Sequence, residues 1–88
     1  MITFDAAKRD KTLRERGLDF ADAALVFEGA HFSLPDDRVD YGEVRMITFG
    51  ELRGRMVVVV WTARGEDRHV ISMRKANERE QAKHARRL

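Results

Sequence analysis

The sequence predicts an α+β fold in a single domain over residues 1–88: a small antiparallel sheet with two N-terminal helices and a C-terminal helix. Three observations predict it. Apolar residues recur at helical spacing in the first third, strand-like runs joined by short glycine-containing links follow, and a dense charged run of good helix formers closes the chain. With 43% apolar and 36% charged residues in 88, there is material for one core under a charged exterior and no room for a second.

Phe4-Asp5 reads as the end of a short first strand followed by a helix N-cap, since the Asp5 carboxylate can accept N–H groups from the next turn. Gly17 ends that helix. Asp19 caps a second one, in which Phe20, Ala23, Ala24 and Phe27 fall at i, i+3, i+4 and i+7 on one core-facing stripe. Gly29 closes it, residues 31–34 suit a short strand, and 35–42 read as an exposed loop. Residues 43–49, 55–63 and 68–74 form an expected antiparallel meander, linked by 50–54 and 64–67. The middle run, with four consecutive valines before Trp61, is its central strand. The last helix, expected over 75–87, carries only Ala76, Ala82, Ala85 and Leu88 as apolar residues, so it is weakly anchored or waits for a partner.

The absence of cysteine excludes disulfides and thiolate metal sites. The longest apolar run, 56–61, is far short of the roughly 20 residues that span a bilayer. The N-terminus has no basic-then-apolar leader pattern, so a cytoplasmic location without membrane contact is expected. Charge is unevenly divided: residues 1–43 hold 6 Lys and Arg against 10 Asp and Glu, and residues 44–88 hold 11 against 5. Thirteen of the 17 cations are arginines, which favours bidentate contact with carboxylate or phosphate. The two halves can equally well neutralise one another across the fold.

The run Val70-Ile71-Ser72-Met73-Arg74-Lys75-Ala76-Asn77-Glu78-Arg79-Glu80 changes from apolar to charged within one residue. A strand that ends where a helix begins can present Arg74, Lys75 and the helix dipole to a phosphate, and RNA is the first candidate ligand.

Several ordered motifs go further. They are Phe4-Asp5-x-x-Lys8, Gly17-x-x-Phe20-x-x-Ala23-x-x-Val26-Phe27, Gly42-Glu43-x-Arg45, Thr62-x-Arg64-Gly65 and Ile71-Ser72-x-Arg74-Lys75-Ala76-x-x-x-Glu80. In this order and spacing the chain resembles the BrnT family of bacterial toxins, small ribonucleases with a RelE-like fold encoded beside an antitoxin. The resemblance implies a sheet that supports an RNA-binding surface. It also implies a BrnA-like ribbon-helix-helix antitoxin that blocks this surface and alone binds operator DNA. Thr12, Glu15-Arg16 and His84 depart from the pattern of many relatives, which have asparagine, Lys-His and a C-terminal aromatic there.

RNA can be cut without a metal or other cofactor when the 2′-OH attacks the adjacent phosphate, given help with proton transfer and cations for the charge on the phosphoryl oxygens. Arg64, Arg74 and Lys75 are the cations the resemblance points to, and Arg45, Arg68 and Arg79 would bind RNA further along. Regular pairing puts Arg64 and Arg74 at opposite ends of their hairpin, and alternation points Arg74 and Lys75 to opposite faces. His69, Glu78 and His84 are the candidates for proton transfer. Strict alternation puts His69 with Ile71 and Met73, away from Arg74, where a half-buried structural histidine is the simpler reading. Helix-surface ion pairs are the simpler account of Glu78 and Glu80. Asp36-Asp37 with Asp40 is the nearest approach to a metal cluster and suits a solvated loop better. Trp61 and Tyr41 could stack on bases, although Trp61 sits in the most apolar strand. Besides a toxin ribonuclease, a non-catalytic interaction module and an RNA binder without cleavage remain open.

Overall fold

The computed structural model describes residues 1–38 and 40–88; position 39, in the expected 35–42 loop, lies outside the described residues. β1 (Ile2–Phe4) leads into α1 (Ala6–Arg16), whose first turn is capped by Asp5 accepting the Lys8 N–H at 3.0 Å. Of the two helices expected ahead of the sheet, only α1 lies at the N-terminus. The second apolar run splits into a 3-10 turn, Phe20–Asp22, and a six-residue α2 (Ala23–Glu28) just before β2 (His31–Asp36). Asp19 caps this turn and also holds Arg9 of α1 at 3.1 Å, which ties the two segments together. The remaining elements are β3 (Arg45–Leu52), β4 (Arg55–Arg64), β5 (Asp67–Lys75), α3 (Glu78–His84) and a closing 3-10 turn, Ala85–Arg87. No helix among the described residues is long and apolar enough to cross a membrane.

The five strands form one sheet in the order β1-β5-β4-β3-β2, with β4 in the centre. The sheet is mixed, which corrects the antiparallel expectation: β1 runs parallel to β5, pairing Ile2, Thr3 and Phe4 with Arg68, His69 and Val70. Both edges of β4 and both of β3 are taken, which leaves the outer edges of β5 and β2, and β1 adds to that of β5. There Ile2 and Phe4 join the core that packs against the N-terminal elements. β2 continues through Pro35 and Asp36, which were expected in a loop; an edge strand tolerates a residue without an N–H. The first hairpin link shortens from five residues to Arg53-Gly54, both with positive φ (50° and 79°), because that two-residue turn matches the twist of the flanking strands. Gly50 belongs to β3 instead of the link. A Cβ there would stand 2.6 Å from Val26 Cγ1, so the bare backbone lets α2 lie against the sheet.

The sheet separates two apolar layers. On one face Val57 and Val59 of β4 and Val70 and Met73 of β5 pack with Leu18, Phe20, Ala23 and Val26; this is the α2 face. On the other, Phe49, Met56 and Val58 meet Ala76, Leu88, Phe32 and Leu34; this is the α3 face. Complete burial of a valine or phenylalanine side chain stabilises by about 1.5–3 kcal/mol, so the first layer carries most of the fold. α3 starts at Glu78, not at position 75, because β5 stays paired through Lys75 and Asn77 takes the N-cap.

Candidate functional site

β5 does not alternate strictly. Val60 pairs with Ser72 and Trp61 with Val70, so Ile71 is an extra residue, a β-bulge. Residues two apart on β4 share a face, and their partners share it too. Val58, Val60 and Thr62 therefore put Arg74, Ser72 and His69 together on the α3 face, while Val59, Trp61 and Ala63 put Met73, Val70 and Arg68 on the α2 face. Strict alternation had separated His69 from Arg74 and joined Arg68 to it; the bulge reverses both. The structure shows its effect in the core, where Val70 and Met73, three positions apart, pack on one face, which an unbroken period of two cannot give.

A row of side chains crosses the α3 face from edge to edge in register: Asp36, Arg45, Thr62, His69 and Thr3. Thr3 Oγ1 lies 2.9 Å from His69 Nδ1, which orients the ring and leaves Nε2 without a hydrogen-bond partner among the described residues. The next row is Leu34, Ile47, Val60 and Ser72, and the third is Phe32, Phe49, Val58 and Arg74. α3 and its trailing turn cover the third row, where the His84 ring sits 4.3 Å from Phe49 and 5.1 Å from Phe32, and Arg87 lies over Phe32. The first two rows stay partly open, with Arg45, Ile47, Val60, His69 and Ser72 half-buried.

Arg74 grips Glu80 of α3 bidentately, Nη1 to Oε1 at 2.7 Å and Nη2 to Oε2 at 2.8 Å. That hydrogen bonding raises the Arg74 pKa and draws the Glu80 carboxyl down to about 2, while burial and the positive charge of Arg38 work against Arg74. Arg38, unmarked in the sequence, lies on the same face of the sheet through its bond to Asp36. Its side chain folds back on the buried Asp36 carboxylate at 2.7 and 2.8 Å, and these bonds hold Asp36 below the usual carboxylate range. Arg45 lies 3.9 Å over the Tyr41 ring and 3.4 Å from Glu43. Tyr41 is thus a platform for an arginine.

The other expected site residues divide. Arg64 is exposed at the end of β4, two residues beyond Thr62 and so on the His69 side of the sheet. Six strand residues, roughly 20 Å at about 3.3 Å each, separate its level from that of Arg74, so these two do not meet on one phosphate. Lys75 pairs with Val57 on the α2 face and is exposed, so it does not join Arg74. Arg68 is also on that face, its guanidinium 4.1 Å over Phe27 and 5.3 Å over Trp61. Trp61 is core-packed and donates its indole N–H to Thr48 Oγ1 at 2.7 Å. Glu78 and Arg79 are exposed on α3. His84 is only 7% exposed, and burial, followed by Lys83 and Arg87, lowers its pKa; it is an aromatic-packed anchor of α3, not a group facing the open rows.

The expected phosphate seat at the last helix is occupied by the protein itself. Asn77 accepts the Glu80 N–H at 2.8 Å, Glu80 accepts the Asn77 N–H at 3.0 Å, and Glu78 and Glu80 make the first turn acidic. Among the described residues no three His, Asp or Glu side chains come together as a metal cluster. What the open rows offer is an oriented imidazole, a serine hydroxyl, and arginines on either side.

The sequence model of one family, described as "Ribonuclease toxin, BrnT, of type II toxin-antitoxin system", matches residues 4–80 of the chain. No curated protein matches it.

Proposed function

The chain belongs to the BrnT family of ribonuclease toxins of type II toxin-antitoxin systems, and on that premise we propose that it is a RelE-like, metal-independent endoribonuclease whose cutting site is the open part of the α3 face. The observation that carries this reading is the common face of His69 and Arg74. Their levels are four strand residues apart, roughly 13 Å at about 3.3 Å each, and the Arg74 side chain, 44% exposed at the margin of α3, is free to span part of that distance over Ser72. His69, held through Nδ1 by Thr3, takes the 2′-OH proton at Nε2. The 2′ oxygen attacks the adjacent phosphorus, the bond to the 5′ oxygen breaks, and that oxygen leaves with a proton from water. The products are a 2′,3′-cyclic phosphate and a 5′-OH. Arg74 and Arg38 stabilise the charge gathering on the phosphoryl oxygens, and Arg45 and Arg64 hold the strand beyond His69.

Cleavage of this kind inhibits translation. A BrnA-like ribbon-helix-helix antitoxin covers the basic face, and operator DNA is reached only through that partner. The toxin acts in the cytoplasm, where its RNA is. Binding without cleavage is the second reading, favoured by one observation: Arg38, Arg45 and Arg74 each already face a carboxylate. Product analysis separates the two. Purified protein in EDTA is expected to leave 2′,3′-cyclic phosphate ends, and Arg74→Ala to lose that activity while keeping a cooperative melt. RNA bound tightly by wild type with no cyclic ends would overturn the enzymatic reading.

A further inference from the structure

Beside the open rows lies a second cationic feature that the cutting reaction does not use. β1 ends at Phe4, so beyond Val70 the outer edge of β5 has no strand partner, and α1 runs past it. Between them is a cleft of about 160 Å³ lined by Lys8, Lys11, Thr12, Glu15, Arg16 and Phe20, with Ile71 and Ser72 on the strand side. Arg16 Nη1 donates to the Met73 carbonyl at 3.0 Å, which satisfies part of the bare edge and fixes the far end of the cleft. Lys8 and Lys11 are exposed, lie one turn apart on α1, and have no ion-pair partner among the described residues. Glu15 is the single carboxylate lining the cleft, against three cations.

Two features connect this cleft to the site. Ser72 belongs to both, since its register puts it between His69 and Arg74 on the α3 face and it also lines the cleft. The bulge at Ile71 sits at the same point. The charge states differ as well. The arginines Arg38, Arg45 and Arg74 are each paired with a neighbouring carboxylate, whereas Lys8 and Lys11 have no such partner among the described residues. Phosphates along a polynucleotide strand are its most regularly spaced anions, and a lysine binds them as a point charge without demanding a fixed orientation.

We propose that the cleft between α1 and the open edge of β5 holds the RNA backbone next to the scissile phosphate, with Lys8 and Lys11 each neutralising one flanking phosphate. The proposal rests on the cutting site proposed above, and it is tested by binding so that the two can fail separately. Fluorescence anisotropy of a labelled single-stranded RNA carrying 2′-deoxy substitutions, which cannot be cut by 2′-OH attack, is measured for wild type and for the Lys8→Gln, Lys11→Gln double variant across salt. Two lost contacts reduce the log–log salt slope by about 1.4 and weaken binding at 0.1 M salt by about 25-fold, from a slope of about 0.7 per neutralised phosphate on single strands. Cutting of a dinucleotide, which has only the scissile phosphate, stays at the wild-type rate. An unchanged slope and affinity overturn the proposal, as does absence of RNA binding by wild type. An equal loss on dinucleotide and long RNA also overturns it, because the lysines would then act at the scissile phosphate. Normal binding losses in a protein that cuts nothing keep the cleft and remove the cutting site.

Discussion

Glu80→Gln removes the charge from the one strong contact between β5 and α3. Glutamine at this position still accepts the Asn77 N–H and one Arg74 N–H at its single carbonyl oxygen, so the helix cap survives, while the charge and the second arm of the grip are lost. The Glu80 carboxyl is drawn from 4.5 to about 2, first by its hydrogen bonds to Arg74. At 1.36 kcal/mol per unit that shift has a ceiling of about 3 kcal/mol. Solvent screens the pair, since the Arg74 side chain is 44% exposed against 19% for Glu80. The expected destabilisation at pH 7 is therefore about 1–2 kcal/mol. For a domain of this size that lowers Tm by roughly 5–15 °C. The sign with pH follows from a depressed carboxyl. Its contribution is complete above the unfolded value near 4.5 and is lost as pH falls through the folded value near 2. Thermal melts by circular dichroism from pH 7 to pH 2 should show wild type and Glu80→Gln converging below about 4.5 and meeting near 2. A difference that is as large at pH 2 as at pH 7 would refute the ionic argument and leave a packing effect in its place.

Gly50→Ala should lower stability by about 1–3 kcal/mol in urea unfolding, because the new Cβ meets the stiff, buried Val26 side chain at 2.6 Å and His31 Cβ at 3.2 Å. His84→Phe should leave RNA cleavage unchanged and abolish one acid-sensitive component of stability. A buried histidine with a lowered pKa stabilises fully above its unfolded value of 6.5 and loses that contribution as pH falls through its folded one, so the variant's Tm should fall less than that of wild type between pH 7.5 and pH 5. Arg74→Lys should keep the charge, lose the two-pronged grip on Glu80, and cut RNA at least about tenfold more slowly, as measured by initial rates on one substrate.

Much of the framework was legible in the residues. Asp5 and Gly17 bracket α1, and the valines of β4 mark the centre of the sheet, because capping and burial depend on local chemistry and simple periodicity. What was not legible depends on partners distant in sequence. β1 joins the outer edge of β5 in parallel, although the outer edge of β2 is open too, and nothing in Ile2-Thr3-Phe4 states a direction. α3 looks polar all round, yet it is anchored by an imidazole packed against two phenylalanines and by an arginine from the sheet, neither of which a hydrophobic stripe reveals. Arg38 stood in a stretch read as loop, and only the extension of β2 to Asp36 brings it onto the α3 face. The bulge decides most at the site, since one extra residue exchanges the faces of Arg68 and His69.

That exchange gives the most direct test, because the two residues are neighbours in sequence and lie on opposite faces of the sheet. Initial rates of RNA cleavage are measured for His69→Ala and Arg68→Ala, each with its melt recorded to confirm folding. The account predicts a loss of about 10²-fold or more for His69→Ala and a near wild-type rate for Arg68→Ala. Cleavage that survives in His69→Ala and disappears in a folded Arg68→Ala would contradict it.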